Sequence, residues 1–120
     1  MGLKYATFHW FVHFLFASLI IIFLKLDFSC FLVAFFSTIF IDLDHLPFVL
    51  KKGLKEVIKF SEPKKYFLHN FIFLFLFFLL SFLPINLSFR IIFLSFFIHL
   101  LWDLLEDVLI FKMGIKHWLF

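Results

Sequence analysis

The chain has 120 residues, 65% of them hydrophobic, with 25 phenylalanines and a formal net charge of +3. An ordinary soluble domain is about 45–50% apolar, and a globule this small has too much surface to hide so much apolar side chain from water. The composition excludes an ordinary water-soluble enzyme and points to lipid as the solvent, with a single domain over 1–120 and no nucleic-acid partner.

A helix crosses a bilayer core of roughly 30 Å with about 20 mainly apolar residues. Taken in chain order, four such stretches are predicted: 5–24, 28–46, 67–83 and 89–111. The expected fold class is therefore all-α, a polytopic bundle of four transmembrane helices. The first stretch carries His9 and His13 at i,i+4 spacing, one face of a helix. It is too long for a signal-peptide core and is followed by no cleavage pattern, so a cleaved leader is not expected. Lys25, Leu26 and Asp27 break it from the second stretch. Cys30, the one cysteine, has no partner for an intramolecular disulfide and reads as a small apolar residue.

The second stretch ends in Ile-Asp-Leu-Asp-His (41–45), and Pro47 follows. Next comes a basic connection holding Lys51, Lys52, Lys55, Lys59, Lys64 and Lys65 against Glu56 and Glu62. Short loops rich in Lys and Arg stay in the cytoplasm. The connection is thus expected inside, and four spans put both termini inside with it. Within it, Leu54, Val57 and Ile58 share a helical face. That pattern predicts a short interfacial segment whose lysines attract anionic lipid headgroups. The expected location is the cell (inner) membrane, multi-pass.

The third stretch opens with His69 and Asn70. Pro84, Ile85 and Asn86 separate it from the fourth. There His99, Asp103, Glu106 and Asp107 fall at i, i+4, i+7 and i+8, one stripe of a helix. On the expected topology every span carries its His or Asp toward the cytoplasmic face. At 1.5 Å per residue, His13 lies about 13 Å beyond Lys4, and Asp103 about 13 Å before Lys112. One shared site below the inner interface accounts for all of them. His117, beside Trp118, reads as an interfacial tail residue.

An Asp at the centre of a spanning helix costs about 2.5–3.5 kcal/mol. No lysine lies deep in the spans to pair with these carboxylates, and histidines pair weakly unless protonated. A divalent cation resolves the cost, and imidazole with carboxylate suits zinc or manganese, with iron a further fit. Asp42, Asp44, His69, His99 and Asp103 form the centre of this expectation.

The same residues carry a resemblance. Ile-Asp-Leu-Asp-His (41–45) resembles the Pro-Asp-Leu-Asp-His signature of the YdjM-like (LexA-regulated type) inner-membrane proteins, described as membrane-bound metal-dependent hydrolases. His-Leu-Leu-Trp-Asp-Leu-Leu (99–105) is similar to their His-Leu-Leu-Leu-Asp-Leu-Leu. His-Phe-Leu-Phe-Ala-Ser-Leu (13–19) resembles their N-terminal His-Leu-Leu-Phe-Gly, which favours His13 over His9. The motifs come in the same order along most of the chain. Departures also stand out. Lys64 occupies the place of the first His in the family's His-Arg-Gly-x-Thr-His-Ser, and His69 matches the second. Leu68 replaces the Thr and Asn70 the Ser. Ile41 replaces a Pro, and Glu106 a Thr. One ligand fewer implies one metal fewer, an altered ligand or an inactive enzyme.

Residues and resemblance together predict metal ligands His13, Asp42, Asp44, His45, His69, His99 and Asp103. The expected chemistry is hydrolysis of an ester or phosphodiester near the cytoplasmic interface, with Asp44 or Glu106 as proton acceptor. Three other readings stay open: a haem-binding electron carrier through His13 with His99 or His69 with His99, a cation pathway, and a non-catalytic membrane subunit. A homo-oligomer is a further expectation, if one chain does not cover the polar centre alone.

Overall fold

The computed structural model describes residues 2–53, 67–110, 112 and 115–119. Every regular element among them is helical. Five α-helices follow in order: α1 (Gly2–Leu24), α2 (Phe28–Ile41), α3 (Leu46–Lys52), α4 (Phe71–Leu80) and α5 (Leu87–Leu105). Tight 3-10 turns occupy Asp42–His45 and Lys116–Trp118, and a wider π turn spans Glu106–Ile110. The interfacial segment expected over 54–59 and the family position at Lys64 lie outside the described residues.

The predicted break at Lys25–Asp27 forms as a complete helix-to-helix turn. Lys25 takes the left-handed conformation at φ 52°. Its N–H donates to Ile22 O at 3.2 Å and that of Leu26 to Ile21 O at 3.0 Å, the double bond that closes orphan carbonyls at a helix end. Leu26 and Ile21 pack into the same apolar cluster. Asp27 then caps α2 by accepting from Cys30 N at 3.1 Å. The Ser29 hydroxyl also donates to Asp27, and these two bonds hold its carboxyl below the usual carboxylate range.

The second predicted span does not run straight through its polar end. Pro47 has no N–H to give to Leu43 O, and its ring would crowd that carbonyl in an α-helix. The backbone tightens over Asp42–His45 instead, and Leu46 N donates to Leu43 O. Pro47 then sits in the first turn of α3, where a missing N–H costs nothing. The motif Asp-Leu-Asp-His thus lies on a narrowed turn between two helices, not on a helix face.

Among the described residues, two helices are long and apolar enough to cross a membrane, over Phe28–His45 and Leu87–Ile110. The third predicted span differs most from expectation. Only Phe71–Leu80 is helical there, 10 residues, or about 15 Å. Phe67–Asn70 is irregular, because Asn70 caps α4 through Ile72 N at 2.9 Å and Phe73 N at 3.2 Å. Asn70→Ala is expected to cost about 1 kcal/mol, read as a lower midpoint in denaturant unfolding, while Asn70→Asp should hold the midpoint near that of the parent.

α5 is the central helix. It packs against α1, α2 and α4. Its buried stripe is Ile91, Ser95, His99, Leu100 and Asp103, and Glu106 continues it. Ala17 and Ala34 are fully buried against Ile91, so small residues let α1 and α2 approach α5 closely. A second cluster joins Ile41, Leu74, Phe77, Leu100 and Trp118. Trp118 is therefore a core residue, although its place beside His117 in the sequence gives no sign of it. It donates to Asp107 Oδ2 at 2.8 Å. Beside these apolar clusters His13, His69, His99, Asp103 and Glu106 are buried, while Phe11, Ile22, Phe36, Phe40, Phe75 and Phe82 are exposed.

Candidate metal centre

Four elements deliver the site. α1 brings His9 and His13 on one face. The 3-10 turn brings Asp42, Asp44 and His45. The segment before α4 brings His69, and the stripe of α5 brings His99 and Asp103. All seven expected ligands fall into interlocking groups, each able to direct one ligand atom per residue within 4.8 Å of the others: His9, His13, His99 and Asp103; Asp42, His69, His99 and Asp103; and Asp44, His45 and His69.

The second group is linked by three short contacts. His69 Nε2 lies 2.9 Å from Asp103 Oδ2, His99 Nε2 lies 3.0 Å from the same oxygen, and His99 Nε2 lies 3.2 Å from Asp42 Oδ1. Bonds of 2.0–2.2 Å to one tetrahedral ion put its ligand atoms about 3.3–3.6 Å apart. The observed separations are within a few tenths of an ångström of that. Alignment also matters. His99 is fully buried, yet neither of its ring nitrogens has a hydrogen-bond partner, nor does Asp42 Oδ1. The atoms are close without being aimed at one another. Buried polar atoms are nearly always paired, so convergence on a common point is the economical account, and the donor set fits a divalent cation.

Two carboxylates stand one layer further out. Asp44 Oδ2 lies 3.2 Å from His69 Nδ1 and accepts Leu68 N–H at 2.7 Å. Glu106 Oε2 lies 3.2 Å from His9 Nδ1, and Trp102 Nε1–H donates to its other oxygen. A carboxylate can only accept, so each draws a proton onto Nδ1 and leaves the lone pair on Nε2. That is how outer carboxylates orient metal-binding histidines. Both residues expected as proton acceptors thus lie behind a histidine. His45 sits at the edge, its Nε2 3.5 Å from Asp44 Oδ1.

His9 is the residue the family resemblance set aside. Its Nε2 lies 2.8 Å from His13 Nε2 and 3.8 Å from Asp103 Oδ1. The i,i+4 spacing with His13 was the signal for it. One haem pair, His13 and His99, stacks face to face, centroids 4.1 Å apart and planes 6° apart. Stacked rings present faces to each other, leaving no slab for a macrocycle between them. In the other pair, His69 and His99, the rings meet edge to face at 5.8 Å and both Nε2 atoms meet Asp103 Oδ2, at 2.9 and 3.0 Å. An open apolar groove of about 520 Å³ between α2 and α5, lined by Leu32, Val33, Phe36, Ser37, Phe40, Ile92 and Phe96, holds no ionisable group and is not the chemical site. No protein-family model, curated protein or solved structure matches the chain.

Proposed function

We propose that this chain is a membrane-embedded, metal-dependent hydrolase whose centre is built from Asp42, His69, His99 and Asp103. The observation that carries the reading is that His99 Nε2 lies within 3.2 Å of both Asp42 Oδ1 and Asp103 Oδ2 without hydrogen-bond alignment. A divalent cation held there supplies Lewis-acid chemistry and makes water a nucleophile near neutral pH. Zinc or manganese suits two imidazoles and two carboxylates. Asp42 is the most open of the site carboxylates, with 21% of its side chain exposed; its Oδ1 belongs to the centre, and its second oxygen would take the proton. Asp44 and Glu106 hold His69 and His9 in the orientation that the cation needs.

The bilayer placement draws on the exposed phenylalanines and on the lysine-rich connection. α1, α2 and α5 cross, and the 67–83 stretch crosses with α4 as its helical part. Its irregular start is tolerable in lipid because it is covered by protein: His69 is buried and Leu68 N–H is satisfied by Asp44. Both termini and the metal centre face the cytoplasm. An ester or phosphodiester of the inner leaflet is the substrate class, steered by the lysines of the connection. The family resemblance of the 41–45, 99–105 and 13–19 motifs agrees with this reading. The stacking of His13 on His99 favours it over the haem carrier.

The test is elemental analysis of the protein purified in mild detergent, with the visible spectrum of the same sample and a doubly substituted Asp42→Ala, His99→Ala comparison. A transition metal near one per chain or above, lost in the comparison, is the expected result. A Soret band, or no metal after controls for stripping, would refute it. Asp44→Asn and Glu106→Gln are each expected to weaken metal affinity roughly 10–100-fold without abolishing it, measured by competition with a chromogenic chelator.

A further inference from the structure

We infer that the centre holds two divalent cations bridged by Asp103. The inference rests on the metal-centre reading above and adds the number of ions and the division of ligands between them.

The two oxygens of Asp103 serve different partners. Oδ2 meets His69 Nε2 at 2.9 Å and His99 Nε2 at 3.0 Å. Oδ1 faces His9 Nε2 at 3.8 Å, is buried, and has no hydrogen-bond partner. On that side His9 Nε2 and His13 Nε2 lie 2.8 Å apart. Asp103 and His99 both belong to the two four-residue groups, but a ring nitrogen has one lone pair for one ion, whereas a carboxylate has two oxygens to share. A carboxylate shared in this way spans two ions about 3.5–4 Å apart, the spacing of two-metal hydrolytic sites.

The rings decide against one ion taking every ligand. Imidazole binds a metal in its own plane at about 2.0–2.1 Å. The His13 and His99 rings are parallel to within 6°, with centroids 4.1 Å apart in a face-to-face stack. An ion in the plane of one ring is then about a ring spacing out of the plane of the other. The two histidines must serve different ions. One ion takes His9, His13 and Asp103 Oδ1. The other takes Asp42, His69, His99 and Asp103 Oδ2. The first has three protein ligands and an open position, the arrangement of a catalytic rather than a structural site. The orienting carboxylates divide the same way. Glu106 backs His9, and Asp44 backs His69.

The full chain in mild detergent, stripped by chelation and reloaded with Mn²⁺, provides the test. Two Mn²⁺ per chain are expected, with a spin-coupled paramagnetic resonance spectrum. His13→Ala should halve the count and remove the coupling while the chain stays helical. One ion per chain in the parent protein overturns the pair and leaves a mononuclear hydrolase standing. No ion overturns both readings. Two ions retained in His13→Ala overturn the division of ligands. The count and coupling of the parent protein decide the first question even if the variant misfolds.

Discussion

Asp103→Asn will leave the chain without tightly bound metal. Both four-residue groups use Asp103, so one substitution weakens both at once and leaves intact only the smaller group of Asp44, His45 and His69. Asparagine keeps the shape but offers a neutral oxygen and an amide that competes for the same histidines. The loss of affinity should exceed the roughly 10–100-fold that removal of an outer partner costs. Asp107→Asn is the control. Asp107 accepts from Trp118 and lies outside all three groups, so its metal content should match the parent. Helical content by circular dichroism should be retained in both. Asp103→Asn holding metal at the parent level would refute the site as assigned.

The second large effect concerns solvent. Phe36 lies mid-way along the Phe28–His45 segment and is 62% exposed. Phe36→Arg is expected to cost about 2.5–3.5 kcal/mol of membrane insertion if lipid surrounds it. On a water-facing surface the same change stays within about 0.5 kcal/mol. Leu50→Arg supplies the contrast. Leu50 is 78% exposed but adjoins Lys51 at the end of α3, where a long cationic side chain reaches the interface. Insertion scored by engineered glycosylation sites should fall sharply for Phe36→Arg and barely for Leu50→Arg. Equal, small effects would remove the bilayer from the proposal.

Much of the centre was legible before any coordinates. His99, Asp103 and Glu106 fall on one stripe because helix periodicity is a property of the local chain, and the buried stripe of α5 follows it. The break at Lys25–Asp27 was equally local, a turn with its own cap. What was hidden depends on neighbours. The i,i+4 spacing of His9 and His13 showed a shared face, but not that Glu106 of a distant segment turns His9 inward. Asp44 looked like a base because nothing in the sequence shows His69 standing between it and the centre. His117 reads as a tail residue because nothing in the sequence shows that its neighbour Trp118 packs with Leu74, Phe77 and Leu100. The third span looked long because its residues are apolar from Phe71 onward; the cap at Asn70 and the turn after Leu80 shorten the helix.

The placement of Asp103 on α5 also orders events in time. His9 and His13 leave the ribosome first, then the Asp-Leu-Asp-His turn, then His69. None of these can close either four-residue group without His99 and Asp103. Until the last long helix is made, only the smaller group of Asp44, His45 and His69 is complete. The last long helix both fills the middle of the bundle and completes the cage. On the proposed metal reading, loading would then be a late checkpoint of assembly, following the hydrophobic work of building the bundle.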